Sequence, residues 1–197
     1  TGFTPTIYTA TSAARVHLAD LDQDGDLDIL CGGERRLNPG NGVYSNVTTY
    51  TVGAANPTDV APADVDGDGD LDLVVAFIGN SANGPGLVTR IHRNNGGGSY
   101  TLFGGLLLVP QATECNVDVA DMNGDGKADV VYVAKDGGAA YGPNGHALAG
   151  TALGTATASF TPTAPIDFSL AVTPYTLSVA DLDGDGRKDV VLPTMSW

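Results

Sequence analysis

Short apolar runs recur in pairs along this chain, and each pair brackets a nine-residue polar stretch. Ahead of the polar stretches stand Val16-His-Leu-Ala, Val60-Ala-Pro-Ala, Val117-Asp-Val-Ala and Leu177-Ser-Val-Ala. Behind them come Ile29-Leu-Cys, Leu73-Val-Val-Ala-Phe, Val130-Val-Tyr-Val and Val190-Val-Leu. The runs are β-branched, partly alternating and bounded by Gly, Pro and Asn, which is the signature of strands. No segment carries the 3.6-residue apolar period of an amphipathic helix. The pattern predicts four strand–turn–strand units in an all-β chain.

The polar stretches share one composition. They read Asp20-Leu-Asp-Gln-Asp-Gly-Asp-Leu-Asp28, Asp64-Val-Asp-Gly-Asp-Gly-Asp-Leu-Asp72, Asp121-Met-Asn-Gly-Asp-Gly-Lys-Ala-Asp129 and Asp181-Leu-Asp-Gly-Asp-Gly-Arg-Lys-Asp189. Counting within each loop, oxygen side chains fall at positions 1, 3, 5 and 9: Asp20, Asp22, Asp24, Asp28; Asp64, Asp66, Asp68, Asp72; Asp121, Asn123, Asp125, Asp129; and Asp181, Asp183, Asp185, Asp189. Glycine at position 6 permits the sharp bend that lets these groups converge. Hard oxygen donors in that number suit Ca²⁺ better than Zn²⁺ or Cu²⁺, so about four Ca²⁺ ions are expected.

Charge points the same way. With 23 acidic and 9 basic residues among 197, the formal charge is −14, which four Ca²⁺ ions would bring to −6. Without metal, each pair of loop carboxylates at about 4 Å repels by roughly 4 kcal/mol at an effective dielectric of 20. The fold is therefore expected to depend on calcium.

An EF-hand is excluded, because it needs flanking helices and a bidentate Glu at position 12. Here that position holds Cys31, Val75, Tyr132 or Leu192. The first aspartates, at 20, 64, 121 and 181, give periods of 44, 57 and 60 residues. Such a period, with several short strands per unit, points to propeller blades of four strands.

The consensus Val-Ala-Asp-x-Asp-x-Asp-Gly-x-x-Asp-[Ile/Leu/Val]-[Leu/Val] resembles the FG-GAP/VCBS repeat of integrin α-subunit heads and many secreted microbial proteins. Ile91-His-Arg-Asn-Asn-Gly-Gly-Gly-Ser-Tyr-Thr101 is similar to that repeat's second hairpin, and Phe103-Gly104-Gly105 to its Phe-Gly signature. The resemblance implies a β-propeller in which the calcium loop joins the first two strands of each blade. It also implies a further ligand at position 7, the main-chain carbonyl of Asp26, Asp70, Lys127 or Arg187. Asn123 departs from the pattern by removing one charge from the third loop.

On this template the whole chain, residues 1–197, forms one propeller domain or propeller segment. An outermost strand is expected over 3–9, and blades over about 14–52, 58–104, 115–170 and 175–197, the last incomplete. Blade four would lack its third strand, so the expectation is a ring completed by further blades or by another subunit through strand addition.

The remaining composition narrows partners and compartment. The scarcity of lysine (Lys127, Lys135, Lys188) and the acidic balance argue against nucleic acid and anionic membrane. The longest apolar run, Leu73 to Ile78, is too short to span a bilayer, so no membrane insertion is expected. Millimolar calcium and the absence of a leader at Thr1 suit a processed, secreted or surface-held chain. Asn46-Val-Thr48 is a glycosylation sequon. Cys31 and Cys115 fall on non-adjacent blades and are expected as buried free thiols.

No hydrolase elbow, zinc-protease motif or phosphate loop is present, and His17, His92 and His146 are isolated in sequence. The chain therefore reads as a non-catalytic recognition or adhesion module that binds an extracellular protein or glycan. A structural subunit that self-associates through an open blade edge is the alternative. A propeller domain of a polysaccharide-degrading enzyme is the third reading.

Overall fold

In the computed structural model every described element is a β-strand, and three of the polar stretches turn the chain between the first two strands of an antiparallel sheet of four or five strands. The structure describes residues 7–9, 15–44, 47–49, 57–81, 84–110, 112–136, 146–155, 159–168, 173–174 and 176–195. Sheet one orders β1 (Val16–Ala19), β2 (Asp28–Cys31), β3 (Glu34–Arg36) and β4 (Thr48–Thr49). Sheet two orders β5 (Pro57–Ala63), β6 (Asp72–Ser81), β7 (Gly84–Asn94) and β8 (Tyr100–Pro110). Sheet three orders β9 (Ala112–Ala120), β10 (Asp129–Asp136), β11 (His146–Gly154) and β12 (Phe160–Pro162), with β13 (Ile166–Asp167) also paired to β11. The fourth unit is a hairpin around the last loop. In it β15 (Ser178–Ala180) pairs β16 (Asp189–Val191), and β14 (Thr173–Pro174) pairs β17 (Thr194–Met195).

The pleat explains why the middles of β6 (Leu73 to Ile78) and β10 (Val130 to Ala134) are apolar without alternation. Successive side chains point to opposite faces, and both faces of these strands are covered. Leu73 and Val75 pack toward sheet one with Leu21, Leu30 and Val60. Val74 and Ala76 pack the other way, with Leu87 and Ile91, against Val117, Val130 and Tyr132 of sheet three. Val131, Val133 and Ala149 then meet Leu177 of the fourth unit, with Val179 and Leu192 alongside. The sheets thus stack face to face in chain order, each core shared by consecutive units.

Three expectations change. Residues 7–9 join no sheet, although a strand was expected over 3–9, of which residues 3–6 lie outside the described ones. This segment docks on sheet one through side chains instead. The Tyr8 ring meets Tyr44 edge-on at 5.2 Å between centroids, and Arg36 donates to the Thr9 carbonyl at 3.0 Å. The outer strand of sheet two runs to Pro110 rather than ending near 104, because bulges absorb Phe103 and Leu108 and let the ladder continue. In sheet three the outer edge is shared by β12 and β13, a division that the Gly- and Thr-rich sequence there does not signal.

Candidate metal centres

The four loops share one backbone frame, built by the aspartates at positions 1 and 9. The first carboxylate accepts the position-6 amide in every loop: Gly25 to Asp20 at 3.0 Å, Gly69 to Asp64 at 2.9 Å, Gly126 to Asp121 at 2.8 Å and Gly186 to Asp181 at 2.9 Å. Those glycines have φ between 80° and 94°, a region closed to most side chains. Position 9 folds the loop back on itself. Its Oδ2 accepts the position-2 amide, from Leu21 at 2.8 Å, Val65 at 3.1 Å, Met122 at 2.9 Å and Leu182 at 3.0 Å.

The other oxygen of position 9 ties the loop to the third strand. Asp28, Asp72 and Asp129 accept the amides of Asn38, Asn94 and Gly154, each at 2.7 Å. All three carboxylates are fully buried. Burial pushes the Asp72 carboxyl up to about 6 against the pull of those amides, and raises Asp28 in the same way. A carboxylate read from the sequence only as a ligand is therefore also the pin between loop and sheet.

Acidic oxygens converge in three loops. One carboxylate oxygen from each of Asp20, Asp22 and Asp28 lies within 4.8 Å of the others, and the same holds for Asp64, Asp66, Asp72 and for Asp181, Asp183, Asp189. Such a set is able to hold a hard cation. In the third loop Asn123 stands at position 3, and its Oδ1 accepts the Asp125 amide at 2.9 Å. Position 5 lies outside the three groups. Asp24, Asp68, Asp125 and Asp185 each accept the amide of position 7, from Asp26, Asp70, Lys127 and Arg187 at 2.8–3.0 Å. Asn46 falls outside the described residues.

The model of the FG-GAP-like repeat matches residues 34–75 and 141–192. The chain carries FG-GAP-like repeats over these two segments. Each matched FG-GAP-like segment begins in the outer half of one unit and ends just past the acidic loop of the next, so the sequence repeat is staggered against the sheets. The loops at 64–72 and 181–189 lie inside the matches, and the other two share their hydrogen-bond frame. A search of curated proteins finds no match to the chain.

Two features of the loops have only faint sequence signals. Position 4 is Gly67, Gly124 or Gly184 at φ 77–79°, but in the first loop it is Gln23 at φ 62°. Its amide side chain donates to the Gly69 carbonyl of the second loop at 2.7 Å. Asn94 adds a second link, donating to the Leu21 carbonyl at 3.0 Å and to its own loop's Leu71 carbonyl at 3.2 Å. The first two loops are thus hydrogen-bonded to each other. A non-glycine residue where three loops have glycine is the only hint of this in the sequence.

Both cysteines are buried free thiols. Burial carries the Cys115 thiol up to about 12, with Thr58 Oγ1 2.9 Å from its sulfur, and raises Cys31 as well.

Proposed function

We propose that this chain is an extracellular, calcium-stabilised β-propeller module that binds a protein or glycan partner and is not itself an enzyme. The observation that carries the calcium part is the convergence of Asp20, Asp22 and Asp28, and of the matching trios in the second and fourth loops, on hard-cation donor geometry. The donor set fits Ca²⁺, because it is all oxygen and supplied on a bent, glycine-hinged loop. Asn123 keeps an oxygen donor at the position where the third loop lacks a carboxylate. The FG-GAP-like match supports recognition or adhesion, since such repeats occur in extracellular and surface proteins. Among the described residues no helix is long and apolar enough to cross a membrane.

The test is calcium titration followed by partner screening. Calcium is expected to raise the melting temperature, and Asp183→Ala to remove part of that rise. Equal melting temperatures with calcium and with chelator would rule out the structural-calcium reading. Saturable, chelator-sensitive binding to an arrayed glycan or extracellular protein would support recognition.

A second reading rests on β8. It is an eleven-residue edge strand without a charged residue, and it exposes Leu102 and Phe103. Long apolar edges template pairing with another chain. A structural subunit joined through this edge would give calcium-dependent oligomers in sedimentation velocity.

A further inference from the structure

We propose that Arg93 is a tethered counter-cation of the second loop, holding that loop in shape without metal and making it a weaker calcium site than the fourth loop. The inference rests on the calcium reading above and concerns how the sites differ. The second and fourth loops carry the same four aspartates at positions 1, 3, 5 and 9. Their surroundings are not the same. Arg93 places Nε 2.7 Å from Asp66 Oδ2 and a terminal nitrogen 3.0 Å from Asp68 Oδ2. One guanidinium therefore bridges positions 3 and 5. Among the described residues no ion pair reaches an aspartate of the first or fourth loop.

The sheet explains why Arg93 is there. The amide that pins position 9 comes from Asn38, Asn94 or Gly154 of the third strand or its extension. The residue just before that amide is Leu37 in sheet one, Arg93 in sheet two and Leu153 in sheet three. Only sheet two delivers a cation from this position, and the ladder fixes where it falls. The third loop shows a milder version, with Lys127 Nζ 3.0 Å from Asp125 Oδ2.

The physical consequence has a definite sign. A fixed positive charge beside two donor carboxylates repels an incoming divalent cation, and its hydrogen bonds must loosen before those oxygens can reorient. The same charge relieves carboxylate repulsion when no metal is bound. Arg93 is 40% exposed, so water and salt screen the effect and hold it near tenfold rather than beyond.

Calorimetric titration of the full chain with Ca²⁺ tests this in the parent, Arg93→Gln, Arg93→Lys, Asp66→Ala and the Arg93→Gln/Asp66→Ala pair. Arg93→Gln is expected to tighten one site by about tenfold at low salt, with the gap closing as salt rises. Asp66→Ala in that background should abolish the gain, and Arg93→Lys should resemble the parent. Superimposable isotherms for parent and Arg93→Gln would overturn the proposal, as would a gain that survives Asp66→Ala. Hydrogen exchange in chelator supplies a metal-free readout. Amides of residues 64–72 should exchange faster in Arg93→Gln, and unchanged exchange would overturn the counter-cation role. Absence of calcium binding in every protein would instead remove the calcium reading, leaving the exchange result to judge Arg93.

Discussion

Arg15 and Asp59 form an ion pair, 3.0 Å between guanidinium nitrogen and Oδ2, at a point where all four units meet. The same guanidinium donates to the Val117 carbonyl of sheet three at 2.8 Å and to the Leu177 carbonyl of the fourth unit at 2.7 Å. Asp59 is fully buried, and its Oδ2 also accepts the Val117 amide at 3.1 Å. One side chain from the start of sheet one thus touches the first strand, or its approach, in every other unit.

Removing Arg15 leaves a buried carboxylate held by the Val60 and Val117 amides, with His17 Nε2 3.8 Å from its Oδ1. Loss of one partner of a buried pair costs about 3–5 kcal/mol, and Arg15 is 26% exposed, which places Arg15→Met at the low end. The Arg15→Met/Asp59→Asn double variant should lose less than the two singles combined. Denaturant unfolding of the four proteins measures both, and strict additivity would mean the pair contributes nothing as a pair.

Gln23 tests the link between the first two loops. Its φ of 62° is a left-handed conformation that costs a non-glycine residue about 1 kcal/mol, offset by the hydrogen bond to Gly69. Gln23→Ala keeps the strain and loses the bond, so a loss of about 1 kcal/mol is expected. Gln23→Gly loses the bond but also the strain, and should be close to neutral. Thermal melts rank the three proteins, and an alanine variant as stable as the glycine variant would contradict the strain argument.

Asp72 makes stability depend on pH when metal is removed. Its folded carboxyl titrates at about 6 against an ordinary 3.8, so between those values the folded chain holds a proton that the unfolded chain has released. Proton uptake on folding stabilises the folded state as pH falls. In chelator, the stability difference between parent and Asp72→Asn should shift in favour of the parent from pH 7 to pH 5. His92, lowered by burial, pulls the opposite way below its ordinary 6.5 but is common to both proteins and cancels. In saturating calcium the trend should vanish or reverse, because the cation favours the ionised carboxylate. A difference that ignores pH in chelator would show that burial does not govern this group.

The thiols give a folding probe. Cys31 and Cys115 are buried and raised, so neither should react with a thiol reagent at pH 8 while the chain is folded. Both should react once denaturant is added. Fast labelling of the native protein at Cys115 would place that sulfur at the surface, against the packing of sheets two and three.

What the sequence determined by itself is local. The acidic loops were legible because all their side-chain donors lie within nine residues, and the bend that gathers them is written as glycine at position 6. Strand identity on either side was legible too, since two-sided burial leaves continuous runs such as Leu73 to Phe77. Tertiary structure decided the rest, because those relations depend on which strands the stack brings together. Arg15 reaches across 44, 102 and 162 residues to its partners, and no local pattern encodes such distances. The second duty of Asp28, Asp72 and Asp129 as pins to the third strand exists only once that strand is docked. So does the difference between two loops of equal ligand count, which comes from an arginine placed by the ladder of β7 beside one of them. Ligand chemistry is a property of a short segment, while the field around a ligand set is a property of the packed sheets.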